Sequence, residues 1–481
     1  MLFNSFIFLL FLPCVLITLR ILEKRPLLQK LFLLAASNFF YGYWDYRFLA
    51  LLWLSILIDF TAGLAIGRAA SREKQRFFLS LSVISNLSIL GFFKYFNFFQ
   101  TSLEKVLEAC HVSYDPDLLG IALPVGISFY TFQSMSYTID VYRGEIKPCR
   151  NLINFAQYIC FFPQLVAGPI ERAKHLLPQL EGVKHIRLKN VLSGFILLTW
   201  GMFKKVVIAD SIGAGILGRS TGQFESLAQL LIGLMAFSFR IYGDFSGYGD
   251  IARGTSRMMG LELVDNFRAP YWAADIRDFW RRWHISLSYW FRDYLYIPLG
   301  GDRLGKFKTF RNLVLTMFLC GLWHGAHIKF VVWGVYHGFL LLIERWWAFA
   351  WHASVQAQGT SMAGLKMFLK KIWCFILVSV GWFFFLGTND MLFKAKSVLA
   401  DPKLWLMPGD LFFQAMPPFL FSGFFVMIAH HFQEVFFKDG LEIEDLGISP
   451  WILGVFMGLL WCHIFLYGSL LSNVQFIYFQ F

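Results

Sequence analysis

Charged residues are scarce in this sequence. Asp, Glu, Lys and Arg make up 15% of its 481 residues, whereas soluble chains carry about 25%. Hydrophobic residues make up 57%, including 56 Phe, and the interior of a soluble fold cannot bury that much apolar surface. The composition therefore excludes an ordinary soluble protein. It indicates an integral membrane protein, whose spans of about 20 residues are solvated by hydrocarbon.

Paired cysteines and a removable leader are also missing. The seven cysteines form no CxxC pair, which argues against a zinc ribbon or a disulfide framework. The apolar stretch 2–19 has no basic segment before it and no small-residue cleavage site after it, so we interpret it as a retained first span. The net charge of +12 indicates cytoplasmic loops rich in Lys and Arg rather than binding to nucleic acid.

Long apolar runs recur along the whole chain. A membrane span must be a helix unless it closes into a barrel, and runs this uniform lack the alternation of barrel strands. The sequence therefore predicts an all-α polytopic membrane protein with about 11–12 transmembrane helices. The runs cover 2–19, 31–43, 48–66, 77–99, 118–139, 151–168, 191–209, 226–243, 310–326, 328–343, 372–387, 411–430 and 450–472.

Loop charges predict the orientation of these spans. The basic loops 20–30, 67–76 and 140–150 are expected in the cytoplasm, and the acidic loop 100–117 is expected outside. Run 151–168 is followed by another basic loop, which predicts a broken helix that enters the membrane and returns. Continued alternation places the C-terminus and its aromatic tail, 473–481, outside.

The longest break between spans covers 244–309, and we expect an interfacial or re-entrant region on the cytoplasmic side there. A helix over 277–292 would present one aromatic face, with Arg281 and Arg282 pointing elsewhere. Spacing alone makes His284 an interfacial residue whose polar edge lies among lipid headgroups. The aromatic face consists of Trp280, Trp283, His284 and Leu287.

A glycine-rich stretch, 243–250, begins this region. It has neither the GxxxxGK[ST] pattern of a phosphate loop nor the GxSxG pattern of a nucleophile elbow. We expect its glycines to allow a tight bend where the chain leaves the membrane. A second interpretation is that Asp244 and Asp250 line a polar cavity.

His324 needs an explanation because polar side chains inside a membrane are costly. It lies between Trp323 and Gly325 in an apolar run, and Gly321 and Gly325 have a small-xxx-small spacing that lets another helix approach. Spacing alone favours a packing histidine over a catalytic base or proton relay. A metal site shared with His327 is disfavoured, because there is no HExxH motif and no nearby carboxylate.

Five blocks in order resemble the membrane-bound O-acyltransferases, specifically the bacterial alginate O-acetyltransferase type. The resemblance covers essentially the whole chain, from NSFIFLLFLP near the start to FIYFQF at the end. The blocks are PVGISFYTFQSMSYTIDVYRGE (124–145), FFPQLVAGPIER (161–172), DFSGYGDIARGTSRMMG (244–260), FRAPYWAADIRDFWRRWHISLSYWFRDYLYIPLGG (267–301) and LCGLWHGAHIKFVVWGVYHG (319–338).

This resemblance implies a ring of transmembrane helices around a central funnel, with His324 as the active histidine and His284 as the second family histidine. It reverses the preference for a packing role at His324. A buried, neutral His324 would act as general base towards an attacking hydroxyl, while His284 positions the thioester or the imidazole. Further candidates for the donor route or the cavity are Arg281, Arg282, Asp244 and Trp323.

The implied reaction passes an acetyl group from a cytoplasmic thioester, acetyl-CoA or another acyl thioester, across the membrane. The acceptor is an exported polysaccharide, either alginate-like or a cell-wall glycan. The resemblance further implies a bacterial cytoplasmic (inner) membrane location and an extracytoplasmic partner acetyltransferase of the serine-hydrolase type. No bound cofactor and no metal are expected.

The related D-alanyl transfer protein of teichoic acid synthesis uses a small partner peptide that ends in an aromatic-tyrosine motif. FIYFQF at the end of this chain is similar, so we expect Tyr478 to fold back and relay the acetyl group. The alternative role for this motif is an anchor in the aromatic belt at the membrane interface. Two alternatives for the whole chain also remain: a transporter of a lipid-linked or sugar substrate, and transfer of D-alanine instead of acetyl.

Overall fold

A computed structural model describes most of the chain. The described residues are 1–116, 118, 120, 123–166, 168–213, 226–351, 363–386, 389–405, 449–467 and 476. Within these ranges every regular element is helical, and one isolated β-bridge joins Phe267 to Trp283. The prediction of an all-α membrane protein is confirmed.

The chain divides into two compact units. One unit comprises Met1–Phe195, Ala252–Val264 and Gly325–His327, and the other comprises Ile196–Ile251, Asp265–His324 and Ile328–Phe481. The helices of the N-terminal part are α1 (Phe6–Ile21), α2 (Pro26–Gly42), α3 (Arg47–Arg68), α4 (Arg72–Leu90), α5 (Phe96–Ala109), α6 (Ile127–Arg143), α7 (Leu152–Cys160), α8 (Phe162–Leu165) and α9 (Ala173–Glu181).

The remaining helices carry the residues of the candidate site. They are α10 (Leu188–Met202), α11 (Asp210–Ile212), α12 (Leu227–Met258), α13 (Ile276–Arg282), α14 (Ile285–Phe291), α15 (Lys306–His324), α16 (Ile328–Trp351), α17 (Ala363–Leu386), α18 (Asn389–Ala400) and α19 (Pro450–Tyr467). The first of these helices, α10, is followed directly by a π-helical stretch, Phe203–Ala209.

Five helical segments in the described residues are long and apolar enough to cross a membrane. Their exposed faces carry large apolar side chains, for example Phe6, Phe77 and Trp373. Hydrocarbon can solvate such faces, whereas water cannot do so without cost. The segments are Phe6–Lys24, Arg47–Arg68, Arg72–Ala109, Leu188–Ile212 and Gly364–Phe385.

The predicted break within run 151–168 is present. Helix α7 ends at Cys160, Phe161 leaves the helical region with φ −54° and ψ 109°, and α8 begins at Phe162. Pro163 follows at the first turn of α8, where a proline is tolerated because its missing N–H would be unpaired anyway. That this segment enters the membrane and returns stays a prediction.

The predicted bend at 243–250 is wrong, because these residues lie inside the continuous helix α12. The glycines serve close packing instead. A Cβ atom on Gly247 would lie 2.8 Å from the carbonyl oxygen of Gly201, and one on Gly201 would lie 2.6 Å from that of Gly247. The end of α10 and the middle of α12 therefore touch backbone to backbone, which only glycine allows.

A second glycine contact joins α15 to α16. A Cβ atom on Gly321 would lie 2.2 Å from the carbonyl oxygen of Phe330, and one on Gly334 would lie 2.2 Å from that of Met317. The expectation that another helix approaches here is confirmed for Gly321, and the approaching helix is α16; Gly325 lies beyond the end of α15. This contact holds the end of α15, and with it His324, against the start of α16.

Candidate active site

His324 is the last residue of α15 and is 2% exposed. The helix ends there, and α16 begins only at Ile328. His324 and His327, although three residues apart in the sequence, therefore do not lie on one helical face. His327 lies beyond the helix end and is exposed, so the helical spacing that puts residues three apart on one face does not apply to it.

His284 lies at a break between two short helices, and the single helix predicted over 277–292 is wrong. Helix α13 ends at Arg282 and α14 begins at Ile285, while His284 has φ 42° and ψ 55°. The left-handed conformation costs a non-glycine residue about 1–2 kcal/mol. Strained backbone of this kind persists only where the surroundings hold it, and it is concentrated at functional sites.

A neighbouring segment holds this break in place. Trp283 forms the β-bridge to Phe267. The backbone N–H of Ile285 donates to the carbonyl oxygen of Asn266 over 3.0 Å, and that of Ser286 donates to the Asn266 side-chain oxygen over 3.1 Å. The helix predicted over 277–292 does not include this break, because the backbone partners that hold it come from outside the local segment.

The fold brings the two predicted histidines together in an aromatic cluster. The ring centroids of His284 and His324 lie 6.4 Å apart. Trp323 contacts both rings, at 5.6 Å from His284 and 5.1 Å from His324. Trp333 of α16 stands edge-on to His324 at 4.9 Å and 90°. His284 is 0% exposed, so both imidazoles are shielded from bulk water.

Burial also sets the protonation state of His284. It lowers the pKa of this imidazole from 6.5 to about 3, because a charged ring would lose its hydration. His284 is therefore neutral at physiological pH, with one ring nitrogen able to donate a hydrogen bond and the other able to accept one. A neutral imidazole suits a role as base or as a positioning group.

The arginines proposed for the donor route, Arg281 and Arg282, lie in the last turn of α13. Glu344 of α16 fixes the start of that helix by accepting from the backbone N–H groups of Ile276 and Arg277, over 2.5 and 3.2 Å. Arg281 is exposed. The Arg282 guanidinium donates to Asp278 over 2.8 Å. Arg281 thus presents an accessible cation, whereas Arg282 already has a carboxylate partner.

Asp244 is paired with a lysine that sequence reasoning missed. The Nζ atom of Lys205 lies 2.6 Å from carboxylate oxygens of both Asp244 and Asp210. The neighbouring Lys204 pairs with Asp250. Both lysines lie in the run 191–209, which was counted as one apolar span. The signal that could have found them is the presence of two cations in a membrane segment, where each needs a partner.

A third buried histidine, His337 of α16, also escaped the sequence-based assignment. It is 0% exposed. Its ring lies 5.0 Å from Trp333 and 5.2 Å from Trp280. His337 is one helical turn from Trp333, and this spacing could have indicated that it shares the face directed at the cluster.

Phe476, the one described residue of the C-terminal tail, lies against the same cluster. This ring is 0% exposed and lies 4.5 Å from Tyr248 and 5.4 Å from Phe245. Phe245 in turn stands edge-on to His284 at 4.6 Å. Tyr478, the proposed relay, lies outside the described residues.

Comparison with known proteins gives consistent similarities. The model of the membrane-bound O-acyltransferase family matches residues 38–386. The chain is 42% identical to the probable alginate O-acetylase AlgI of Pseudomonas putida, over 81% of this chain and 78% of the relative. It is 34% identical to the peptidoglycan O-acetyltransferase of Helicobacter pylori, over 81% and 77%. It is 30% identical to the teichoic acid D-alanyltransferase of Streptococcus thermophilus, over 46% of this chain and 57% of the relative.

Proposed function

The chain belongs to the membrane-bound O-acyltransferase family and is a multi-pass membrane O-acetyltransferase, and on this basis we propose that it passes acetyl groups across a bacterial inner membrane. The donor is a cytoplasmic thioester, acetyl-CoA, and the final acceptor is an exported polysaccharide. The observation that carries the proposal is the meeting of two buried imidazoles, His284 and His324, in one aromatic cluster.

His324 acts as general base. It takes the proton from the attacking hydroxyl as that oxygen bonds to the acetyl carbonyl carbon, and it returns the proton to the thiolate sulfur when the C–S bond breaks. The products are an acetyl ester and a free thiol, so no other reactant is needed. His284 stays neutral and orients the thioester or the second imidazole.

The first acceptor is Tyr478 of the C-terminal tail. Phe476, two residues earlier, is held on Tyr248 and Phe245, and Phe245 touches His284. Two residues of extended chain span about 7 Å, and this short separation in the sequence supports the choice of Tyr478 as the relay. The acetyl ester then passes to an extracytoplasmic acetyltransferase of the serine-hydrolase type or directly to the polysaccharide.

Acetyl is preferred to D-alanine as the acyl group. The acetyltransferase relatives resemble this chain over 81% of its length, whereas the D-alanyltransferases resemble it over 46%. The polysaccharide is of the alginate or peptidoglycan class, as the names of those relatives suggest.

Labelling of the purified full chain tests the proposal. With acetyl-labelled acetyl-CoA in lipid nanodiscs, we expect label on the C-terminal peptide of the wild-type chain and none in Tyr478→Phe. Tyr46→Phe, at a tyrosine that is 76% exposed, is the matched control and should label normally. Normal labelling of the Tyr478→Phe peptide would contradict the relay. Failure of the wild-type chain to react with acetyl-CoA would contradict the proposed donor.

A further inference from the structure

Two consecutive lysines lie buried in the π-helical stretch that follows α10. Lys204 and Lys205 are each 1% exposed and sit within Phe203–Ala209. A buried charge is costly unless it is closely paired, and replacing such pairs by apolar residues often improves stability. Stretches of π-helix are also rare and frequently mark functional sites. Stability alone is therefore a poor explanation for this pair.

The lysines tie this stretch to α12. Lys205 lies 2.6 Å from Asp244 of α12 and 2.6 Å from Asp210, next to its own stretch. Lys204 pairs with Asp250, almost two turns further along α12. Together with the glycine contact between Gly201 and Gly247, these pairs fix both the rotation and the axial position of α12 against the π-helical stretch.

The same part of α12 presents an aromatic face to the cluster. Tyr242, Phe245 and Tyr248 recur at every third residue, which places them on one side of the helix. Tyr242 lies 6.3 Å from Trp283, the residue before His284, and Phe245 lies 4.6 Å from His284 itself. Tyr248 lies 4.5 Å from Phe476.

The lysines also contact this face directly. The Nζ atom of Lys204 lies 5.8 Å from the ring centroid of Tyr242, and that of Lys205 lies 5.7 Å from that of Tyr248. Cations within about 6 Å of an aromatic centroid are attracted to the ring face. Each lysine thus contacts one carboxylate and one aromatic ring of α12. The two contacts together restrict the rotation of that helix.

His284 requires such support because its backbone is in the left-handed conformation. A residue in that conformation returns to an ordinary one unless its neighbours prevent it. Phe245 packs edge-on against the imidazole, at 4.6 Å between ring centroids and 90°, so it is placed to restrict the orientation of that ring.

We propose that Lys204 and Lys205, paired with Asp250 and Asp244, are positioning residues for acetyl transfer: they hold the aromatic face of α12 so that Phe245 fixes the ring of His284 and Tyr248 fixes the tail at Phe476. The proposal rests on the proposed function, in which His284 acts at the reacting thioester. It assigns these charges to the geometry of the reaction rather than to stability.

The test measures kcat and KM for acetyl-CoA with the purified full chain in lipid nanodiscs, per folded molecule. Lys204→Met should lower kcat by about tenfold to a hundredfold, because small displacements of a reacting group cost that much. The KM for acetyl-CoA should change by less than about threefold, since the proposed role of the lysines is to hold α12 rather than to bind the donor. The exchanged pair Lys204→Asp with Asp250→Lys should recover part of kcat.

Asp59→Asn is the matched control for loss of a buried charge. Asp59 of α3 is 0% exposed and accepts hydrogen bonds from Ser82, Ser134 and Asn86. Its loss should lower thermal stability but leave kcat per folded molecule unchanged. An equal fall in kcat for Asp59→Asn and Lys204→Met would overturn the positioning role, and so would an unchanged kcat in Lys204→Met.

Phe245→Leu keeps the proposal testable if the lysine variants fail to insert. It removes the ring edge on His284 and leaves the ion pairs in place, so kcat should fall with KM unchanged; an unchanged kcat would overturn the proposal. His324→Ala, measured beside these variants, distinguishes failure of the proposed function from failure of the positioning role alone. Full activity of His324→Ala means that the proposed function fails. An inactive His324→Ala beside a fully active Lys204→Met means that only the positioning role fails.

Discussion

The rings of His284 and His324 lie 6.4 Å apart with their planes inclined by 61°. One ring ends the long helix α15, and the other occupies a strained break between α13 and α14. This separation leaves the two imidazoles able to contact the same small group, such as a thioester carbonyl or an attacking hydroxyl. The two elements that carry them differ in backbone conformation, because His284 alone is left-handed, and that difference leads to testable consequences.

Two substitutions of His284 distinguish the effect of its backbone conformation from the effect of its side chain. His284→Gly removes the imidazole and relieves the left-handed conformation, whereas His284→Ala removes the imidazole and keeps the strain. Glycine should therefore give the more stable protein, by about 1 kcal/mol. Both variants should lose acetyl transfer, because the ring is absent in each. Thermal unfolding and CoA release from acetyl-CoA measure the two effects; equal stability would mean that the backbone is not strained.

The low pKa of His284 predicts a dependence of stability on pH. The folded pKa of about 3 lies below the ordinary 6.5, so between these values the unfolded state binds the extra proton. Stability from this residue is fully present above pH 6.5 and falls as the pH drops towards 3, by up to about 1.4 kcal/mol per pH unit. His284→Gln should remove this slope.

Thermal unfolding of both proteins between pH 4 and pH 7 measures that difference. The wild-type midpoint should fall more steeply on acidification than the midpoint of the variant. Parallel curves would show that His284 gains no proton on unfolding in this range, and they would contradict its burial in an apolar environment.

The glycines of α12 should differ sharply in their tolerance of a methyl group. A Cβ atom on Gly247 would lie 2.8 Å from the Gly201 carbonyl oxygen, whereas one on Gly249 meets nothing within 4 Å. Gly247→Ala should destabilise the protein by about 1–3 kcal/mol through overpacking. Gly249→Ala should be neutral or stabilising by up to about 1 kcal/mol. Thermal unfolding in detergent compares them, and equal effects would argue against the contact between α10 and α12.

The sequence was sufficient to predict the helices, and the family resemblance singled out two histidines that the fold brings together. How these histidines are held could not be predicted. The α-helical class follows from apolar runs that must satisfy their backbone internally. The break at His284 could not be predicted, because Asn266 and Phe267 from another segment supply its backbone partners. The bend expected at Gly243 to Asp250 failed because glycine also permits close helix packing, and local sequence cannot distinguish the two uses.

Docking of the tail should depend on Phe476. This ring is 0% exposed against Tyr248 and Phe245, and losing it removes about 3–5 kcal/mol of packing from the tail. Phe476→Ala should therefore lower acetyl transfer to an acceptor while leaving the protein folded. Phe465→Ala removes a ring that is 61% exposed and should leave transfer unchanged. Equal activity of the two variants would mean that the tail is not needed at the site.

Release of CoA by the His324→Ala variant tests the central claim most directly. The purified full chain in lipid nanodiscs is given acetyl-CoA and a tyrosine-bearing acceptor peptide, and free thiol is measured over time. Loss of a general base should lower the rate by about a hundredfold to ten-thousandfold, while His327→Ala, an exposed histidine beyond the end of α15, keeps the wild-type rate. A His324→Ala chain that releases CoA and acetylates the peptide at the wild-type rate would contradict the account.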